Sequence, residues 1–510
     1  MIRATRNLHR LFTIARVLAR HDALTIGELP GSGPLSLLLR LGRRPASEGR
    51  PGERLARALT ELGPTFIKLG QALSTRADLV GEEMAADLSE LQDRLAPFPA
   101  KQARRIIETE LGAPLGELFR EFDDQPVAAA SIAQVHFAVT ADGREVAVKV
   151  LRPGVDQAFR RDIDLLAWLA EWVELTRPGL RRLRLIDSVE TFAESVKLEM
   201  DLRFEAAAAA ELAENFEGDD SFRVPAVDWQ RTGKRVLTLE RVSGIPVDER
   251  DRLLAAGHDV DSILQKAAEA FFNMVFRDGF FHADLHPGNL FVNADGNLVA
   301  VDFGIMGRVD KRTRRFLGEM LLGFLNGNYR RVAEVHFEAG YVPADKSIDA
   351  FTQASRSIAE PILGLPLHEI SVARLLGQLF EVTETFAMET QPQLLLLQKS
   401  MLVAEGIGRR LDPRVNMWQL ARPLIEGWMR QNLGPEARVR ETVVGALASV
   451  ERLPRLLAQL EKSTTLLAEG GFRLHPDTVR DMVGRSHDRR LPAWLPWLLV
   501  LGLGIALVVK

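Results

Sequence analysis

The sequence predicts an α+β fold of two unequal lobes, with a helical N-terminal extension and a C-terminal transmembrane helix, and three observations predict it. The hydrophobic period switches from helical to alternating between about residues 132 and 151 and is helical again over most of the chain after residue 244. At 510 residues the chain exceeds what one hydrophobic core usually organises. Its last twenty positions collect a block of apolar residues that carries no polar stripe.

Composition narrows the chemistry. Lys plus Arg at 65 against Asp plus Glu at 69 gives a formal charge of -4, which offers no global electrostatic reason to bind nucleic acid. The absence of cysteine removes disulfides, thiolate zinc sites, cysteine-held iron–sulfur clusters and any cysteine nucleophile.

From the N-terminus, Arg3, Arg6, Arg10, Arg16 and Arg20 interleave with Ile2, Leu8, Leu11, Phe12, Ile14, Val17 and Leu18, a basic amphipathic helix. Three readings compete: a solvated helix packed on the domain, a helix on a membrane surface, or a transit peptide, the last weakened by the lack of serines. Arginine recurs too often for a secretory signal. Residues 30–52, rich in Gly, Pro and Arg, read as a linker, and helical patterns then run to about residue 121 with breaks at Gly63-Pro64, 97–99 and 112–114. Residues 1–121 are therefore expected as a helical extension. The segments 132–140 and 145–151 are β-rich, with Asp142-Gly143 between them as a hairpin turn. A second hairpin is expected from 224–229 and 235–242 across Thr232-Gly233, with helices over 156–216 inserted between the two. Residues 122–244 form the small lobe on this reading, and 245–490, helical except for a β-like stretch at 289–302, the large one.

Residues 491–509 carry no formal charge, and as a helix they reach roughly 28 Å, close to a hydrocarbon core. Arg485, Arg489 and Arg490 precede the segment, and Trp494 and Trp497 stand at its entrance, the pattern of a positive cytoplasmic flank and an aromatic belt. The competing reading is a buried core helix.

The chemistry concentrates in His282-Ala283-Asp284-Leu285-His286-Pro287-Gly288-Asn289, followed thirteen residues later by Asp302-Phe303-Gly304. Phosphoryl transfer needs a carboxylate near the attacking oxygen and oxygen ligands for magnesium, and Asp284, Asn289 and Asp302 are of the right types. The step from Asp284 to Asn289 matches a kinase catalytic loop, and Asp302-Phe303-Gly304 the magnesium-binding element beyond it. Upstream, Val146-Ala147-Val148-Lys149 ends a strand with an ammonium that needs phosphate and a carboxylate if buried. Glu205, on a helix expected to begin near Asp187, is the expected partner, with Glu199, Asp201 and Glu211 competing. The loop expected to cover ATP, Ala128, Ala129, Ala130, Ser131, Ile132, Ala133, Gln134, Val135 and His136, has alanine where protein kinases have glycine, which predicts a stiffer loop. Ala283 stands where an arginine would grip a phosphorylated activation segment, and His286 where a lysine would stand, so switching by activation-loop phosphorylation is disfavoured.

These residues, with Lys68-Leu69-Gly70-Gln71 and Glu199-Met200-Asp201, resemble the UbiB proteins, also called ABC1 or ADCK (coenzyme Q8-like) atypical kinases, over roughly residues 50–330. The resemblance implies a two-lobed protein-kinase-like fold and a membrane-anchored atypical kinase or ATPase that supports ubiquinone biosynthesis. It implies Lys149 and Glu205 as the ion pair, Asp284 as the catalytic aspartate, and Asn289 with Asp302 as ligands of Mg2+ beside ATP. Lys68 and Gln71 belong to a motif on an extension that folds over the cleft as a lid, and Glu199 and Asp201 to the motif that faces it. Lys68 and Gln71 share a helical face, whereas Glu199 and Asp201, two apart, would point in different directions on a helix, so both are not assigned to Lys68. Arg54 lies on the same helical region. Membrane lipid, isoprenoid quinone precursors and quinone-biosynthesis enzymes are the implied partners, at a bacterial inner membrane with the catalytic part cytoplasmic. The competing functions are a small-molecule phosphotransferase, a protein kinase, disfavoured by the lack of an Ala-Pro-Glu element, and a nucleotide-sensing scaffold without turnover.

Overall fold

The computed structural model describes residues 2–23, 49–74, 80–89, 91, 95–176, 184–361, 378, 381–383, 385–388, 392–415 and 417–433. Residues 1–430 form one compact unit; of the second, 431–510, only the end of one helix is among the described residues. The expected membrane segment at 491–509 lies outside them. Among the described residues no helix is long and apolar enough to cross a membrane.

The chain begins with α1 (Ile2–Arg20), α2 (Pro51–Leu62), α3 (Pro64–Ser74) and α4 (Glu82–Ser89). The second half of the apolar stripe of α1 packs inside the molecule: Ile14 and Val17 are buried with Ala58, Leu59, Leu62, Phe66, Ile67 and Leu88, with Leu11 and Leu18 against them, while Phe12 is exposed. Of the three readings of the N-terminus, the packed helix is the one observed. Arg54 donates to the carbonyls of Asp22 and Gly49, so it ties α2 to the end of α1 and is not available to the lid.

Helices α5 (Ala100–Leu111) and α6 (Leu115–Leu118) lead into a sheet of β1 (Phe119–Phe122), β2 (Ala128–Ala129), β3 (Ala133–Thr140), β4 (Glu145–Leu151) and a later strand. The β3–β4 hairpin turns at Asp142-Gly143, where Gly143 has φ of 90°, a conformation glycine adopts without penalty. Strand alternation sends Val146, Val148 and Val150 against Ala103 and Ile107 of α5 and turns Lys149 to the opposite face. Residues 98–122 therefore belong with the sheet, and the free-standing extension ends earlier than expected.

Helix α7 (Val155–Thr176) follows, then α8 (Leu185–Glu199) and α9 (Leu202–Asn215), β5 (Phe222–Arg223) and β6 (Val236–Glu240), which completes the antiparallel order β1-β3-β4-β6 with β2 on β3. Arg10 of α1 reaches α7 and holds the buried Asp162 with two bonds, at 2.8 and 2.9 Å. The expected second hairpin is only half formed. Val227 makes a single bridge to Leu239, and Asp228 caps a tight turn at Trp229–Arg231. Pro225 has no N–H for a ladder.

The large lobe runs through β7 (Ile245–Pro246), α10 (Arg250–Ala255), α11 (Val260–Phe272), β8 (Phe280–His282), β9 (Leu290–Val292), β10 (Leu298–Ala300), β11 (Met306–Arg308), α12 (Lys311–Leu325), α13 (Tyr329–Glu338), α14 (Ile348–Ala359), α15 (Pro392–Leu411) and α16 (Met417–Leu433). One sheet has the order β5-β10-β9-β7, and β8 pairs with β11. A continuous core joins the lobes, from Leu151 and Phe159 through Leu202 and Leu237 to Phe281, Phe303 and Ile425.

Gly307 sits directly across from Phe281 in the β8–β11 pair, and a Cβ there would collide with the buried ring. Gly307→Ala should therefore destabilise the protein by about 1–3 kcal/mol through overpacking. A urea midpoint equal to the parent's would contradict this.

Candidate active site

Strand β4 carries Lys149 on the face it shares with its cross-strand partners Val135 and Leu237. Its ammonium donates to both oxygens of Glu205 on α9, at 2.8 and 3.0 Å, and to Asp302 Oδ1 at 2.9 Å. The competitors for Lys149 are engaged elsewhere. Glu211 holds Arg308, Glu199 holds Lys68 at 2.7 Å, and Asp201 caps α9 by accepting from the Arg203 amide while also pairing with the Arg203 guanidinium. The capping explains a difference from the sequence reading: Glu205 lies not on the helix that begins near Asp187 but on a second helix started by Asp201.

Two carboxylates and one ammonium leave this cluster with a net negative charge. Burial opposes the Lys149 ammonium, but Asp302 and Glu205 outweigh it and raise its pKa above the usual lysine range. Burial pushes Glu205 up to about 7 despite Lys149. Burial also works against ionised Asp302, yet Lys149, then Lys68, hold its carboxyl below the usual range. Asp302 is thus the firmly ionised member, and its side chain remains 48% exposed.

Asp302 has φ of 63°, a left-handed conformation uncommon for a residue with a side chain and typical of functional sites. Its neighbours fix it. Asn289 closes a short 3-10 turn just before β9, and its carbonyl accepts from the Val301 amide at 2.9 Å, so the β9–β10 pairing sets Asn289 beside the approach to Asp302. The Asn289 side-chain NH2 donates to the Asp284 carbonyl at 3.1 Å, which directs its amide oxygen the other way. His282 links the two loops: Nδ1 accepts from the Asp284 amide at 3.1 Å, so Nε2–H donates to the Val301 carbonyl at 3.3 Å. Burial lowers the His282 pKa and keeps this ring neutral.

The alanine-rich loop divides into two parts. Ala128 and Ala129 pair with Val135 and Gln134, and the Ala130 amide closes on the Ala133 carbonyl at 2.8 Å around Ser131 and Ile132. Gln134 and His136 lie on the sheet face opposite Lys149. Gln134 holds the Phe98 backbone at both ends of its amide, and His136 Nδ1 bonds the Asp123 carbonyl. Their side chains brace the small lobe from behind and do not face the Lys149 side. Arg152, which sequence reasoning missed, donates to the carbonyls of Ala130, Ala96 and Leu95 and so pins the loop.

Lys68 of α3 lies near enough to lower the Asp302 pKa. Gln71, one turn on, has a buried side-chain oxygen with no hydrogen-bond partner among the described residues. Sequence reasoning also missed Lys399 of α15, whose ammonium donates to Asp284 Oδ1 at 2.9 Å. Thr313, the hydroxyl residue just beyond Gly304, is buried and bonds Asp310, which caps α12.

For magnesium the donor chemistry fits: a half-exposed ionised carboxylate at Asp302 and an amide oxygen at Asn289. Among the described residues no group of three His, Asp or Glu side chains could hold a metal alone. That suits an ion usually bound by one or two protein oxygens together with substrate phosphates.

A small antiparallel sheet bearing a Lys–Glu pair, joined to a helical lobe bearing paired loops with Asp284, Asn289 and Asp302, defines a kinase-like domain of atypical sequence. Residues 90–336 match the model of the ABC1 atypical kinase-like domain, and residues 355–416 that of the UbiB helical domain. The chain is 43% identical over 443 residues to the "Probable protein kinase UbiB" of Marinobacter nauticus, covering 85% of this chain and 81% of that one. To the protein of the same description from Cellvibrio japonicus it is 39% identical, covering 94% and 89%. The protein belongs to the UbiB family of atypical kinases. A solved structure, the complex of Rv3197 with erythromycin from Mycobacterium tuberculosis, aligns at a TM-score of 0.51 and 28% identity, covering 72% of this chain and 94% of that one.

Proposed function

We propose that this protein is a membrane-tethered kinase-like ATPase that binds Mg-ATP between its lobes and supports ubiquinone biosynthesis. The observation that carries the reading is the convergence of Lys149, Glu205 and Asp302 from three separate segments at 2.8–2.9 Å. Lys149 binds the phosphates and Glu205 holds it extended. Asp284 orients the attacking water or hydroxyl and accepts its proton, and His282 fixes the Asp284 loop against the strand that leads to Asp302. Asn289 and Asp302 would hold magnesium, which supplies neutralising charge to the phosphates when bound. Lys68, paired with Glu199, closes the extension over the same site and leaves little room for a protein acceptor. A buried, cap-bound Thr313 supports an activity not governed by phosphorylation of the segment after Gly304. The apolar segment 491–509, as a membrane tether, would keep the cleft near isoprenoid quinone precursors, which partition into the bilayer.

The test is phosphate release from ATP by the purified full-length chain with magnesium, with and without vesicles of anionic lipid and with quinone-like phenols. Magnesium-dependent release, raised by vesicles, is expected. Nucleotide binding without release under any condition would favour the scaffold, and a chain truncated after Arg490 that still sediments with membranes would remove the tether.

A further inference from the structure

Lys399 stands 115 residues beyond Asp284 and outside every motif read from the sequence, yet the two side chains meet at 2.9 Å. Its helix is anchored. Leu397 and Ser400 on either side are buried, and Leu397, Ile407 and Leu411 belong to the core that joins the lobes. The ammonium is therefore presented by a fixed element and not by a wandering surface chain.

The catalytic loop itself has need of a cation. Residues 282–289 contain no lysine or arginine. His286 is turned back into its own loop, where Nδ1 accepts from the Gly288 amide at 3.0 Å. Lys149 is already held by Glu205 and Asp302, and Lys68 by Glu199. Lys399 and Asp284 are 35% and 29% exposed, so the pair is open on one side, and an ammonium with three N–H groups retains donors after the bond to Asp284.

We propose that Lys399 is a further catalytic residue of this site: it pairs with Asp284 in the nucleotide-free protein and is shared between Asp284 and the γ-phosphate when ATP is bound. The inference rests on the reading above that Mg-ATP occupies the cleft. In the transfer, the water or hydroxyl oxygen bonds to Pγ and gives its proton to Asp284. The bond from Pγ to the bridging oxygen breaks, and its electron pair leaves on ADP. Lys399 keeps its proton throughout. It aims the Asp284 carboxylate and offsets charge on the γ-phosphate, a group that ADP lacks.

That last difference makes the role measurable. Full-length parent, Lys399→Met and Lys399→Arg are compared by competition of ATP and of ADP against a fluorescent nucleotide with magnesium, and by phosphate release. Loss of one charge-assisted bond weakens binding by about tenfold or more. Lys399→Met should lose about that much affinity for ATP and less than about twofold for ADP, with turnover lower by on the order of 100-fold. Lys399→Arg should recover part of the ATP affinity. Lys399→Gln carries the same comparison if the methionine variant does not fold. Equal losses for ATP and ADP would show a structural role and overturn the proposal, as would no loss for either when the parent binds both. A parent that binds neither nucleotide would instead overturn the Mg-ATP reading and this inference with it.

Discussion

Asp302→Asn is expected to lower magnesium-dependent phosphate release by about 100- to 1,000-fold, the usual cost of removing one preorganised electrostatic group, without unfolding the protein. Two features keep the fold intact. Asparagine tolerates the left-handed backbone at φ of 63° as well as aspartate does, so the substitution adds no strain that alanine would. Lys149 also keeps Glu205 at 2.8 Å, so the buried ion pair survives the substitution. The charge that is lost is one the site holds ionised, and a carboxylate whose folded pKa is depressed contributes stability above its unfolded pKa. Nucleotide-free Asp302→Asn should therefore melt somewhat below the parent at pH 8, with the difference shrinking as pH falls through the usual carboxylate range. Loss of turnover in a variant that still folds separates a chemical role from damage to the fold. Retained turnover would remove Asp302 from the site, and a melting difference that does not shrink at low pH would contradict the charge argument.

Local signals made much of the site readable from the sequence. The Asp142-Gly143 turn and the alternation before Lys149 depend only on neighbours, and the same holds for the loop residues 282–289 and 302–304. The signals that failed depend on distance or on a choice between two periods. Asp201 reads equally as a mid-helix residue or as a cap, so the break between α8 and α9 was not visible. Gln134 and His136 were assigned to the phosphate loop by position, although a strict two-residue period from Lys149 through its partner Val135 puts them on the other face. The pairing of Lys399 with Asp284 has no local signature, since a contact across 115 residues is set by how α15 docks on the core. Lys68 and Glu199 illustrate the intermediate case: the spacing of two between Glu199 and Asp201 argued that only one would face Lys68, but not which one.

Lys149→Met is expected to be the most damaging single change to stability, and its pH dependence has a defined sign. The substitution leaves Glu205, 7% exposed, and Asp302 without the ammonium they share. Breaking a buried ion pair by removing one partner costs about 3–5 kcal/mol. In the parent, Glu205 already titrates at about 7 against an ordinary 4.5, and loss of Lys149 raises the carboxylates further. Between the unfolded and folded values the folded chain binds more protons than the unfolded chain, so stability falls as pH rises across that window and the cost is fully present above it. The urea midpoint of Lys149→Met should therefore lie further below the parent's at pH 8 than at pH 5.5. Lys149→Met combined with Glu205→Met removes both buried charges and should regain much of the lost stability, since apolar side chains of similar volume often replace a buried pair without penalty. It should regain none of the ATP turnover, because no ammonium remains to bind the phosphates. A deficit independent of pH, or a double variant no more stable than the single one, would show that Lys149 supports the fold through its aliphatic stem and not through its charge.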